Sequence, residues 1–412
     1  MGRNLTRRRP PGPLILLLAL ELAHFALPLR WGDDAVFFGK VKTLALTVFL
    51  KASSRPLVDS ATHLFARCPV LWRVLNPLML FALGLLLAKL LGIDRPKQKL
   101  CLGLLVLVPS MGLVDAGFIA TTVNYLWPVT LGLFAVYSAV QFRAGRLAWL
   151  RCALALPALL YAMNMQQLAV VLPPVFLLLA VLALRDKQAG KAVYAGACLL
   201  ISAAAAGYVY YKSTTGDNNR FLREAGRYFP DFPSLPLPAR LELGFSSTFH
   251  GLAASLSLPC ALFLCFCVFL AVMVIRRRLA LWQKALSFLP GVMVIILLCL
   301  RKALPLVNYK MAKAAYHFSW WLDLLFLALG CAVVIMVFTL IQRKQDRLRA
   351  LLILGLGFAS RLLMGFSPTV WASGYRTFYI LMLALLTTCA LLGIIKEGER
   401  RGRGDTNANV QY

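Results

Sequence analysis

Acidic side chains are scarce in this chain. Only 16 of 412 residues are Asp or Glu, against 44 Lys and Arg, and four are His. A soluble domain carries about a quarter charged residues; here the share is 15%. No P-loop, dinucleotide-binding glycine fingerprint or G-x-S-x-G elbow occurs, so nothing points to a cytoplasmic nucleotide site. The histidines at 24, 63, 250 and 317 lack metal-ligand spacing. Ten cysteines form no C-x-x-C pair and no disulfide framework. Nine lie in or beside apolar runs, and only Cys68 falls clearly in a loop. The Cys260, Cys265 and Cys267 group lies inside such a run, where thiols read as small core residues.

What the chain has is apolar length. Hydrophobic residues make up 60%, in unbroken runs that approach or reach the roughly 17–25 residues a bilayer crossing needs. The runs do not alternate, which excludes a strand-built barrel. They predict an all-α polytopic membrane protein with twelve spans: 13–29, 74–92, 100–114, 128–142, 148–164, 167–184, 192–211, 252–275, 285–300, 319–341, 350–366 and 377–395. No cleavage pattern follows the first run, which reads as a retained helix. Residues 1–395 read as one transmembrane domain and 396–412 as a disordered cytoplasmic tail.

The connecting loops alternate in character. Short basic ones ("DRPKQK", "RAGR", "RDKQAGK", "RRRLALWQK", "QRKQDRLR") belong in the cytoplasm by the positive-inside rule, which puts both termini inside. Long or polar loops at 30–73, 115–127, 212–251, 301–318 and 367–376 then face out. The net charge of +28 follows largely from this rule and does not call for nucleic acid. Yet the outer loops also hold many cations, among them Arg55, Arg220, Arg223, Arg227 and Arg376. Two readings stay open: an anionic partner outside, or contact with anionic lipid headgroups. Residues 41–66 are apolar but broken by Lys51, Arg55 and Asp59, which predicts helices lying in the interface.

Against the shortage of acid, "RWGDDAVFFGK" places Asp33 and Asp34 together at the outer end of the first span. They could cap a helix, take a proton from an acceptor hydroxyl, or help hold a divalent cation. "FIATTVNYLWP" (118–128) offers Asn124, Tyr125 and Trp127, as interfacial anchors or as substrate contacts. "TTGDNNRFLREAGRYF" (214–229) has turn chemistry around Asn218. Its Arg220, Arg223 and Arg227 share one helical face, either a phosphate clamp or a solvated surface. Arg361 and Arg376, near the outer ends of late spans, are costly unless paired, facing a cavity, or snorkelling to the interface. Glu21 and His24 form a lone intramembrane ionisable pair.

Taken together, "GDDAVFF", "SRP" at 54–56, "NYLWP", "GDNNR" and "SPTVWASGYR" resemble an uncharacterised family of bacterial multispanning proteins related to the GT-C glycosyltransferases, which include O-antigen-modifying glucosyltransferases. The likeness runs from about residue 30 to 376. It implies a GT-C fold in the bacterial inner membrane. The implied activity is inverting transfer of a sugar from a polyprenyl-phosphate-linked donor to an envelope glycan or lipid of lipopolysaccharide type, on the outer face. It also implies Asp33 as the leading general base with Asp34 second, and Arg220 and Arg376, with Arg55, near the carrier phosphate. Asn124, Tyr125, Trp127, Asn164, Gln167 and Asn218 are the remaining candidate substrate contacts. The chain departs from the pattern at "AMNMQQLAV", where relatives carry an acid: Asn164, Gln166 and Gln167 supply no charge. A divalent cation is thus the only cofactor in view, and this departure weighs against it.

Three rivals remain at the level of sequence. A flippase or exporter of a lipid-linked sugar would show an inverted repeat and midplane charge; no repeat occurs and Glu21 is isolated. An O-antigen-type polymerase would use arginines in large outer loops, and 212–251 could serve. A noncatalytic scaffold would leave the acidic pair dispensable.

Overall fold

A backbone inside a bilayer must satisfy its own N–H and C=O groups, and runs without alternation can do so only as helices. The computed structural model describes residues 12–41, 48, 53–142, 145–214, 220–277, 279–302 and 315–408. It is 83% helix, and no strand occurs among the described residues. Nine helices there are long and apolar enough to cross a membrane: Pro69–Leu90, Phe118–Val140, Leu168–Arg185, Ala189–Lys212, Leu258–Ile275, Leu281–Leu300, Trp320–Leu340, Lys344–Phe366 and Tyr375–Ile395. The chain is a membrane-embedded helical protein.

The other three apolar runs form shorter helices. Leu14–Ala26 stops just short of Pro28, and Leu147–Ala162 gives way to a turn at Met163. The 100–114 run lies in Pro96–Met111, which yields to a 3-10 turn at Gly112–Ala116. One predicted loop is helical instead. "FIATTVNYLW" is the first part of Phe118–Val140, with a π-helical turn at Thr122–Leu126 and Pro128 at the start of the regular helix beyond. The final helix runs on to Ala408, through the segment expected to be a tail. The 212–251 loop holds helices Arg220–Tyr228 and Leu237–Phe249, separated by a proline-rich turn, because its prolines forbid one continuous helix.

Sequence neighbours pair as hairpins. Leu168–Arg185 packs on Ala189–Thr214, and Lys344–Leu362 packs on the last helix. Two apolar cores result. One is built around Trp72, Leu83, Leu126, Leu159 and Phe176, the other around Phe263, Leu270, Phe326 and Val337. The last helix is their shared wall, giving Tyr379 and Leu383 to the first core and Met382 and Leu385 to the second. At one end of the bundle a third cluster joins Phe229, Phe232 and Leu243 to Val370 and Trp371. The loop helices thus fold down onto the late 367–376 loop.

That closure depends on backbone approach. A Cβ at Gly365 would overlap the carbonyl oxygen of Arg240, and one at Gly244 would overlap that of Leu362. Both obstacles are main chain, which no rotamer relieves. Gly365→Ala should therefore cost about 1–3 kcal/mol. Gly355→Ala, with nothing within 4 Å of its Cβ, should cost nothing. Thermal unfolding of the two detergent-purified variants checks this; equal melting temperatures would contradict it.

Candidate functional site

The acidic pair divides its labour. Gly32 turns the chain with φ of 57°, a left-handed conformation glycine adopts without strain, and Asp33 and Asp34 open helix Asp33–Lys40. Asp34 is 1% exposed. Its Oδ2 accepts from the backbone N–H of Phe118 at 2.7 Å and of Ile119 at 3.0 Å, and its Oδ1 from that of Ala120 at 2.7 Å. Those amides open the Phe118–Val140 helix and have no partners within it. Asp34 caps that helix from 84 residues away. Gly117, with φ of 115°, makes room: a Cβ there would lie 2.8 Å from the Asp34 carboxyl carbon. Burial pushes the Asp34 carboxyl up, the three amides pull it down, and the Asp33 charge pushes up again; the net direction is up.

Asp33 faces the other way and is half exposed. Its Oδ2 accepts from Arg376 Nη1 at 2.8 Å, while Arg376 Nε donates to the Ser373 carbonyl at 3.0 Å. The start of helix Asp33–Lys40 and the turn that opens the last span are therefore joined by an ion pair.

A second polar group surrounds Arg55. Its Nη1 donates to Asn124 Oδ1 at 2.9 Å, and its Nη2 lies 3.6 Å from Asp59, which also accepts from Ser53 Oγ at 2.5 Å. Asn124 sits in the π-helical turn and donates to the Ala120 carbonyl. Asn164 is buried and accepts from the Leu57 amide at 3.1 Å, so it pins the helix that Arg55 precedes. Trp127 is also buried. Its indole N–H donates to Asn76 Oδ1 at 2.9 Å, and Asn76 in turn meets His24 Nε2 at 2.9 Å. Trp127, Asn164 and His24 are thereby engaged in holding helices together.

The third group is deeper. Gln167 Nε2 donates to the carbonyls of Ser360 at 3.1 Å and Thr377 at 2.7 Å, fastening Lys344–Leu362 to the start of the last span. Between these anchors Arg361 is 2% exposed, with its guanidinium 4.4 Å from the centre of the Phe378 ring. It does not snorkel. His250, in a second π-helical turn (His250–Ala254), meets the Trp371 ring edge-on at 5.4 Å. Burial pushes the His250 imidazole down to about 4, and the nearby Arg361 charge adds to this, so the ring is neutral at physiological pH. Tyr125 lies within electrostatic reach of Arg361.

Asn218 and the Arg220 side chain lie outside the described residues. Arg223 and Arg227 are exposed. Of the residues singled out in the sequence, the structure joins Asp33 to Arg376 and Arg55 to Asn124. Tyr125 lies within electrostatic reach of Arg361, and Gln167 donates to the carbonyl of the preceding residue, Ser360. His250 and Trp371 were missed as partners of one another, because they come from different loops and neither has a charged neighbour in sequence. Among the described residues no three His, Cys, Asp or Glu side chains cluster as a metal set. The acidic pair does not fit a divalent cation either: both Asp34 oxygens are committed to amides. No family model, curated protein or solved structure matches the chain.

The two aspartates should separate cleanly on mutation. Asp34→Ala strands three buried amides and should cost about 1–3 kcal/mol. Asp33→Ala breaks a rim ion pair worth about 0–1 kcal/mol. Thermal unfolding checks this, and an equal loss in both variants would contradict the division.

Proposed function

We propose that the chain is a membrane glycosyltransferase of GT-C type. In this reading it moves a sugar from a polyprenyl-phosphate-linked donor to an envelope glycan or lipid, on the outer face of the bacterial inner membrane. The three shorter apolar helices complete twelve crossings, with both termini in the cytoplasm. The observation that carries the reading is the exposed Asp33 carboxylate, held 2.8 Å from Arg376 at the rim where the loop helices close down.

Asp33 is the general base. The acceptor hydroxyl attacks the anomeric carbon, and its proton passes to an Asp33 oxygen. The bond from that carbon to the carrier phosphate breaks on the opposite face, so the configuration inverts and polyprenyl phosphate leaves. Arg376 holds the Asp33 carboxyl in place through their ion pair, which differs from the carrier-phosphate role the resemblance gives it. Arg55 and Asn124, joined by their mutual hydrogen bond, would contact sugar hydroxyls. Asp34 holds the helix that presents them.

The test is mass spectrometry of envelope glycans and glycolipids from a deletion strain, complemented with the native gene or with Asp33→Asn at matched membrane expression. Removing a general base costs on the order of 10²–10⁴-fold. One hexose-sized increment should vanish on deletion, return with the native protein and stay absent with Asp33→Asn. Full restoration by the variant would overturn the assignment of Asp33.

A further inference from the structure

Like charges gathered around one side chain repel unless an anion sits among them. Lys89, in the last turn of Pro69–Leu90, and Arg151, on Leu147–Ala162, both lie against the ring of Tyr137. The Lys89 Nζ is 5.2 Å from the ring centre and the Arg151 Cζ 5.5 Å. Tyr137 belongs to Phe118–Val140, which packs on both of the other helices. Neither cation has a carboxylate partner among the described residues. Arg151 Nη2 donates at 2.5 Å to the carbonyl of Gln141, which closes the Tyr137 helix, and its Nε is buried without a partner. That carbonyl satisfies one donor of Arg151 and none of Lys89, which is exposed.

This group lies at the far end of the bundle from Asp33. Tyr137 follows the Asp34-capped Phe118 by roughly 28 Å of helix, close to the ~30 Å hydrocarbon thickness of a bilayer. Trp149, two residues before Arg151, is exposed, as suits an aromatic at the membrane–water boundary. In the proposed topology this end is the cytoplasmic leaflet.

The surroundings of Arg151 select the kind of anion. Leu147 and Leu154, one turn to either side of it on the same helical face, are both exposed, and so are Leu150 and Leu160. A free inorganic anion would meet the charge and leave this face uncovered, whereas an anion carrying apolar chains meets both. Basic sites between transmembrane helices on the cytoplasmic side take anionic lipid headgroups.

We propose that Lys89 and Arg151, set around Tyr137, form a headgroup site for an anionic phospholipid whose acyl chains lie along the exposed leucines of Leu147–Ala162. The phosphate is shared by the ammonium and the guanidinium, so one lipid ties the ends of three helices together. The site stands apart from Asp33 and does not depend on the transferase reading.

The detergent-purified full chain is titrated with dioleoyl phosphatidylglycerol, with dioleoyl phosphatidylcholine, and with inorganic phosphate, and the melting temperature is followed. Phosphatidylglycerol should stabilise the native protein more than phosphatidylcholine does, and inorganic phosphate at equal concentration should not. One basic residue at an anionic lipid is worth about fivefold in affinity. Lys89→Gln should therefore bind phosphatidylglycerol about fivefold more weakly, with phosphatidylcholine unchanged. Lys89 is exposed and outside any ion pair, so this variant should melt as native without lipid. Lys89→Arg, which keeps the charge, should bind as native.

Equal stabilisation by the two lipids would overturn the anion site. Phosphatidylglycerol binding undiminished in Lys89→Gln would overturn its location. Stabilisation by inorganic phosphate that depends on Lys89 and equals that of phosphatidylglycerol would overturn the lipid occupant. A lower lipid-free melting temperature in Lys89→Gln, with the lipid response intact, would make Lys89 a structural residue.

Discussion

Three backbone amides at the start of the Phe118–Val140 helix find their acceptor in the Asp34 carboxylate, and much of the site's geometry follows from that bond set. A helix that begins inside a bundle leaves its first N–H groups without partners, and burying them unmet is costly. By meeting them, Asp34 locks helix Asp33–Lys40 against helix Phe118–Val140. The adjoining Asp33 is then turned outward toward Arg376. The π-helical turn that presents Asn124 and Tyr125 begins two residues after the last capped amide. One buried carboxylate thereby sets the position of its exposed neighbour.

The same bundle end gathers cations of two kinds. Arg55 and Arg376 have carboxylate partners at the rim. Arg361, deeper, has an aromatic face and unmet donors. In a low-dielectric setting a paired charge is far cheaper to hold than an unpaired one.

Much of the helical framework was legible in the chain because a long apolar run has one solution in a bilayer. Nine of the twelve runs form helices of spanning length; the helices of the other three end at Ala26, Met111 and Ala162, where local turn chemistry overrides hydropathy. "NYLWP" was misread as a loop because Pro128 marks a helix start, whereas the preceding turns are helical and are capped from afar. The acidic pair was legible as important, but not its division of labour. Asp34's partners are 84–86 residues away, and Arg376 is 343 residues from Asp33. Arg361 was legible as an expense; its surroundings were not, since Tyr125, His250, Val370 and Phe378 come to it from separate segments.

The most direct measurement follows the sugar and its lipid separately. The full chain is reconstituted in vesicles holding a long-chain isoprenyl-phosphate hexose labelled in the sugar, with envelope extract as acceptor. The account predicts that label leaves the lipid for the acceptor while free isoprenyl phosphate accumulates, and that Asp33→Asn stops both. Labelled lipid that crosses the bilayer intact, equally well with Asp33→Asn, would contradict transfer and identify a transporter.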